Sequence, residues 1–140
     1  MSLVLAISAA LTAAQSQEVI ELREIDGSNG FVLSGIDEGD NSRRVSGAGD
    51  VNGDGIDDLI IGAVGADPNG NDFAGESYIV FGRSTGFPVN FKLAELDGTN
   101  GFVLNGIDTN DYSGGSVSGA GDVNGDGIED IIIGADGADP

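Results

Sequence analysis

Asp50, Asn52, Asp54, Ile56 and Asp58 stand at alternate positions of one short loop, and Asp122, Asn124, Asp126, Ile128 and Asp130 repeat the arrangement. Both sets grow out of the run VSGAGDVNGDGI, which occurs at Val45–Ile56 and again at Val117–Ile128. Oxygen-bearing side chains at loop positions 1, 3, 5 and 9, with a backbone carbonyl at position 7, are the donor set of a hard divalent cation. Calcium takes roughly six to eight oxygens at about 2.3–2.6 Å, and a tightly curled loop brings alternate residues onto one ion. Gly55 and Gly127 at position 6 permit the sharp turn, and Gly53 and Gly125 relieve crowding at position 4. The expected cofactor is Ca²⁺, two per chain. Magnesium demands a smaller octahedral shell and keeps its waters, so weaker binding is expected for it.

A helical EF-hand loop is the first rival. It needs a carboxylate at position 12, where a helix returns it to the ion. Position 12 here is Ile61 and Ile133, each inside a β-branched run, so that design does not fit. The bland alternative is a hydrophilic turn between strands, and recurrence of every ligand position in two copies weighs against it. Asp57 and Glu129, at position 8, alternate away from the ion and are expected to be solvated. Asp37, Asp40, Asp108 and Asp111 recur without ligand spacing and are expected to cap loops.

Composition points the same way. Of 140 residues, 24 are acidic and 5 basic, a formal charge of −19, and Asp outnumbers Glu seventeen to seven. Such a balance argues against nucleic acid and anionic membrane surfaces and favours divalent cations. No His and no Cys are present, which removes the commonest general base, thiol chemistry, disulfides and the usual zinc and copper ligands. Paired carboxylates could serve a glycosidase-like hydrolase or a lyase, but every close pair lies in a loop or a repeated turn. The expectation is that the chain is not an enzyme.

The elements that position these loops form a larger repeat. IDGSNGFVLSGID at Ile25–Asp37 returns as LDGTNGFVLNGID at Leu96–Asp108, 71 residues on. Asp50 and Asp122 are 72 apart, so the second copy carries one extra residue between the two blocks. Each period offers short β-candidates bounded by Gly, Asp, Asn and Pro clusters: Phe31–Gly35, Val45–Gly49, Leu59–Ala63 and Tyr78–Phe81, then Phe102–Gly106, Val117–Gly121 and Ile131–Ala135. Leu59-Ile60-Ile61 and Tyr78-Ile79-Val80-Phe81 point apolar side chains to both faces, so both faces must be covered. A four-stranded unit buried by neighbours on both sides describes a propeller blade. The expected fold is therefore all-β, two four-stranded β-propeller-type blades, with residues 15–86 and 87–140 as the two repeats.

The second repeat shows no counterpart of Tyr78–Phe81, which leaves an open sheet edge. Leu3–Ile7 has the length and polarity to fill it, from the same chain or another. The apolar residues 1–14 have a second reading as the h-region of a secretory signal cleaved near Ala14, though without a basic n-region.

The chain resembles the FG-GAP repeats of integrin alpha-chain β-propellers and of many bacterial surface proteins. The matching residues are Ser116–Gly127 with Asp130 and Ile131–Ala135 in one copy, and Val45–Ala63 in the other, within a resemblance running from about Ile20 to Pro140. The resemblance implies calcium ligands at loop positions 1, 3, 5, 7 and 9, a seven-bladed propeller, and roles in adhesion or extracellular recognition. Two departures stand out. The Phe-Gly pair of the family is Arg43-Arg44 in one copy and Gly114-Gly115 in the other, and Gly-Ala-Pro becomes Gly62-Ala63-Val64 and Gly134-Ala135-Asp136. Two repeats are too few for a ring of roughly four to eight blades, which implies a partial or oligomer-completed propeller.

The functional expectation is a calcium-binding module at the cell surface or outside the cell. It would recognise a protein ligand or further blades of the same propeller, without membrane insertion and without nucleic acid. A structural alternative is self-assembly into a polymer through open blade edges, as a homo-oligomer. No Arg-Gly-Asp tripeptide and no N-glycosylation acceptor is present.

Overall fold

Unbroken apolar runs rich in β-branched residues, cut by glycine-rich turns, leave this chain little choice but sheet. The computed structural model describes residues 3–7 and 21–139 and shows nine strands and no α-helix among them. In chain order they are β1 (Leu3–Ile7), β2 (Gly30–Ser34), β3 (Ser42–Gly49), β4 (Asp58–Ala63), β5 (Glu76–Val80), β6 (Asn90–Lys92), β7 (Gly101–Asn105), β8 (Ser113–Gly121) and β9 (Asp130–Ala135). The seven strands expected after residue 20 are all present, with ends moved by up to four residues. The three-residue β6 had no signal in the sequence, because a single apolar residue, Phe91, between Asn90 and Lys92 gives no readable period.

The strands form three sheets. One has four strands in the order β3-β4-β5-β7, one has three in the order β1-β2-β6, and β8 pairs with β9 alone. The four-stranded sheet is antiparallel throughout: Val45 opposes Ile61, Ile61 opposes Tyr78, and Tyr78 opposes Val103. The all-β, propeller-like expectation holds, and the sheets form an open array. The composition of the blade differs from the expectation that Phe31–Gly35 shares a sheet with Val45–Gly49. The fourth strand comes from the following repeat, as β7, while β2 lies in the neighbouring sheet beside β1. Local pattern could not decide this, since β2 and β7 have nearly the same sequence and only tertiary packing chooses between them.

Both faces of the four-stranded sheet are covered, as the non-alternating strands require. On one side Ile61, Ala63, Tyr78 and Val80 pack with Leu33, Phe91 and Leu93 from the β1-β2-β6 side. On the other, Ala48, Ile60 and Ile79 pack with Phe102, Val117, Ile131 and Ile133, so β8 and β9 form the next layer. Ile60, Ile61, Tyr78, Ile79 and Val80 are completely buried. Each aliphatic side chain among them contributes about 1.5–3 kcal/mol by leaving water.

The extra residue of the second repeat is absorbed in a bulge. Ser42 and Arg44 oppose Ala63 and Gly62, whereas Ser113 and Ser116 oppose Ala135 and Gly134, leaving two residues rather than one between the paired positions. Those two residues are Gly114-Gly115, the first departure from the family pattern, and Gly114 has φ of 85° and would place a Cβ 2.7 Å from the Glu76 carbonyl oxygen. A Cβ on Gly62 would lie 2.2 Å from the Gly114 carbonyl oxygen, so β4 and β8 touch backbone to backbone.

Candidate metal-loop site

The two loops leave β3 and β8 and return as β4 and β9. Each begins where glycine lets the strand turn: Gly49 and Gly121 have φ of 73° and 72°. Both then curl around the carboxylate at position 1. Asp50 Oδ1 accepts the N–H groups of Gly53 at 2.8 Å and Asp54 at 3.0 Å, and its Oδ2 accepts Gly55 at 2.8 Å. Asp122 does the same with Gly125 at 2.7 Å, Asp126 at 3.0 Å and Gly127 at 2.8 Å. Asn52 and Asn124 each accept the N–H two residues on at 2.9 Å, and Asp54 and Asp126 do likewise with Ile56 and Ile128 at 2.9 Å. These are successive Asx turns, the local conformation that Asp and Asn favour. The three N–H bonds, that of Gly127 foremost, hold the Asp122 carboxyl below the ordinary aspartate range despite the opposing desolvation.

Position 9 is built differently in the two copies. Asp58 is 1% exposed. Its Oδ2 accepts the Val51 N–H at 3.0 Å and its Oδ1 the Gly82 N–H at 2.8 Å, so it ties the loop to the chain two residues past the end of β5. Burial raises its pKa above the ordinary value, and the two N–H groups oppose that rise. Asp130 accepts the Val123 N–H at 2.8 Å and sits half-exposed, its other side-chain hydrogen bonds going to Asn124 of the same loop. Gly82 is a site residue the sequence did not reveal, 24 positions from its partner in a stretch with no ligand spacing. A Cβ there would stand 2.4 Å from the Asp57 carbonyl oxygen, so the close approach requires glycine.

The structure thus brings positions 1, 3, 5 and 9 of each loop into one hydrogen-bonded turn, with Ile56 and Ile128 at its exit. Among the described residues no group of three or more Asp, Glu, His or Cys side chains converges as a ready metal cage. The donor set still fits a cation. A carboxylate offers about four lone-pair sites; Asp50 uses three, Asp58 two, and Asp54 two, from the Ile56 N–H and from Asn52 Nδ2 at 3.2 Å. Each of these carboxylates keeps acceptor capacity for an ion, and the Asn side chain adds a neutral oxygen that tempers charge repulsion.

Glu129 is solvent-exposed, as expected, and it makes one contact the sequence did not reveal. Its side chain lies over Gly49, where a Cβ would meet the Glu129 carboxylate at 2.7 Å. Asp57 is exposed as expected. Asp40 and Asp111 cap their loops as expected, accepting the N–H groups of Asp37 at 3.0 Å and Asp108 at 2.9 Å.

A shallow cleft runs beside the first loop, lined by Asn52, Asp54, Phe81, Gly82, Arg83, Thr85, Thr99 and Asn100. The Arg83 guanidinium lies over the Phe87 ring, 4.7 Å from its centroid. No helix among the described residues is long and apolar enough to cross a membrane.

The family model for the FG-GAP repeat matches residues 43–80 and 113–140, which span β3 to β5 and β8 to β9 with both candidate loops. No curated protein matches the chain.

Proposed function

Given that the chain carries two FG-GAP repeats, we propose that it is a non-catalytic, calcium-binding recognition module acting outside the cell or at its surface. The observation that carries this reading is the identity of the two loops: Asp50 and Asp122 each gather the N–H groups of positions 4, 5 and 6. One such turn is unremarkable. Two with every candidate donor in place repeat a purpose beyond turning the chain.

Asp50, Asn52, Asp54 and Asp58 with the Ile56 carbonyl would hold one Ca²⁺, and Asp122, Asn124, Asp126 and Asp130 with the Ile128 carbonyl a second. Bound calcium supplies positive charge to a chain of net charge −19 and cross-links the start of each loop to its end. Asp58 and Asp130 connect that cross-link to the strands, because each stands at the first residue of β4 or β9. Loops of this chemistry in extracellular modules have Kd of about 10⁻⁴–10⁻³ M, which suits an environment where calcium is millimolar. The cleft beside the first loop combines an anionic wall, Asp54, with a cation, Arg83, and amide and hydroxyl groups. Such mixed polar surfaces serve protein ligands, with the metal fixing the loop that forms one wall.

The test is a calorimetric Ca²⁺ titration of the chelator-stripped chain, with Mg²⁺ as competitor. Two sites of sub-millimolar to millimolar affinity are expected. Absence of binding heat, together with a melt unchanged by calcium, would reduce both loops to turns.

A further inference from the structure

Five residues of the chain are basic against 24 acidic, so a cation without a carboxylate partner is unexpected. Arg23 lies 3.6 Å from Glu21 and Lys92 3.8 Å from Glu95. Arg43 and Arg44 stand exposed on β3, where water solvates them. Arg83 is the exception. It is half-buried, yet no carboxylate of the described residues lies within 4.0 Å of its guanidinium. None of its N–H donors meets an acceptor among the described residues either. A charged group taken partly out of water is normally paired.

The guanidinium is also fixed in place. It sits 4.7 Å from the centroid of the Phe87 ring and 5.3 Å from that of Phe91. Those two rings meet edge to face at 89°, Phe87 stacks on Phe31 at 4.0 Å, and Phe91 is 3% exposed. The core thus holds the arginine at the junction of two rings, whose attraction leaves its in-plane N–H groups for a partner. Arg83 lines the cleft beside the first loop, and every described residue of that cleft falls between Asn52 and Asn100. The Phe81 N–H on the Asn100 carbonyl and the Gly82 N–H on Asp58 tie its walls together. The neighbouring side chains are occupied elsewhere: Asn52 donates to Asp54, Thr99 to Asp97 and Asn100 to the Glu95 carbonyl. What the cleft lacks is an acceptor for Arg83.

We propose that Arg83 anchors a carboxylate brought by the ligand, an Asp or Glu side chain of a protein partner, and that Phe87 and Phe91 are its positioning residues. The planar fork of a guanidinium matches a carboxylate through two parallel N–H···O bonds. A cation already held in its bound position gives up little entropy on engaging it. Phosphate fits the same fork, but Asp54 lines the cleft too, and a dianion there meets stronger repulsion than a monoanion. Calcium on the first loop would offset the Asp54 charge and tighten the carboxylate contact. The inference rests on the reading of this cleft as a recognition surface, while the anchoring contact itself is made by the protein alone.

An NMR titration of the isotope-labelled chain tests it, reading the Arg83 Nε–Hε signal and the backbone amides of the cleft. The probes are N-acetyl-Asp-Gly amide and N-acetyl-Asn-Gly amide, each in calcium and in chelator. The aspartyl peptide should bind with millimolar affinity, at least about tenfold tighter than the asparaginyl one, and more tightly in calcium. Arg83→Gln should abolish the preference, Arg83→Lys weaken it through loss of the fork, and Arg44→Gln leave it unchanged. The comparison of the two peptides on the native chain stands even where Arg83→Gln loosens the aromatic cluster. Equal affinity in calcium and in chelator, with the Arg83 dependence kept, supports the anchor and counts against calcium ordering this wall. An Arg83 signal unmoved by the aspartyl peptide, equal responses to both peptides, or inorganic phosphate binding as tightly as the aspartyl peptide would overturn the proposal.

Discussion

The backbone N–H of Glu129 donates to the carbonyl of Asp50 at 3.3 Å. The eighth residue of the second loop therefore rests on the first residue of the first loop, and its side chain covers Gly49. The two candidate metal loops are neighbours in contact, on the same end of adjacent sheets. One backbone hydrogen bond and one side-chain contact join them.

Calcium dependence should be divisible between the loops. Asp54→Ala is expected to reduce the calorimetric stoichiometry from two sites to one. At calcium ten times Kd, each site adds about 1.4 kcal/mol to stability, so the variant should lose that increment of melting stability in calcium beyond any loss in chelator. Asp54 also accepts the Ile56 N–H, so a modest chelator-independent loss accompanies it. Equal losses with and without calcium would assign Asp54 a purely structural role.

The asymmetry at position 9 gives a metal-free prediction. Asp58→Ala leaves the Val51 and Gly82 N–H groups without their acceptor in a buried site, at about 1–3 kcal/mol for each unpaired group. Asp130→Ala frees N–H groups that water can reach, so its cost in denaturant unfolding with chelator should be clearly smaller. Comparable midpoints for the two variants would contradict the burial argument.

The backbone contact between β4 and β8 should tolerate no side chain. Gly62→Ala places a methyl 2.2 Å from the Gly114 oxygen and must separate the sheets, a penalty of about 1–3 kcal/mol or more as for other overpacked cores. Gly121→Ala meets open space and carries only the strain of φ at 72°. Thermal melts should therefore rank Gly62→Ala as the more damaging change.

Carboxyl titration by NMR should separate the capping aspartates. Burial pushes Asp40 above the ordinary value of 3.8, with the Asp37 N–H opposing and the Asp37 and Asp67 charges adding to the rise. Asp26 and Asp97 are held below it, chiefly by the hydroxyls of Ser28 and Thr99 and then by the N–H groups of those residues. The signs follow by linkage. A raised folded pKa means that the folded state binds the Asp40 proton more tightly, so its contribution favours folding at low pH and is lost as pH rises through its folded pKa. Asp26 and Asp97 contribute above 3.8 and lose that contribution as pH falls through their depressed values. Titration of Asp40 at or below the ordinary value would refute its desolvation.

The sequence by itself determined the chemistry and most of the strands, because both are local. Asp50 to Asp58 and Asp122 to Asp130 declare their donor spacing within nine residues, and a period of two or an unbroken β-branched run marks Leu59–Ala63 and Ile131–Ala135 as strands with covered faces. Only the tertiary structure decided which strands share a sheet. β2 and β7 are near-identical in sequence, yet β7 joins β5 and β2 joins β1, since pairing depends on which open edge the chain brings within reach. The same holds for Gly82 beneath Asp58 and Gly62 against Gly114, where contacts between distant residues leave no trace in local pattern. Short-range spacing fixes what a loop can bind; long-range packing fixes what it is anchored to and which neighbour it touches.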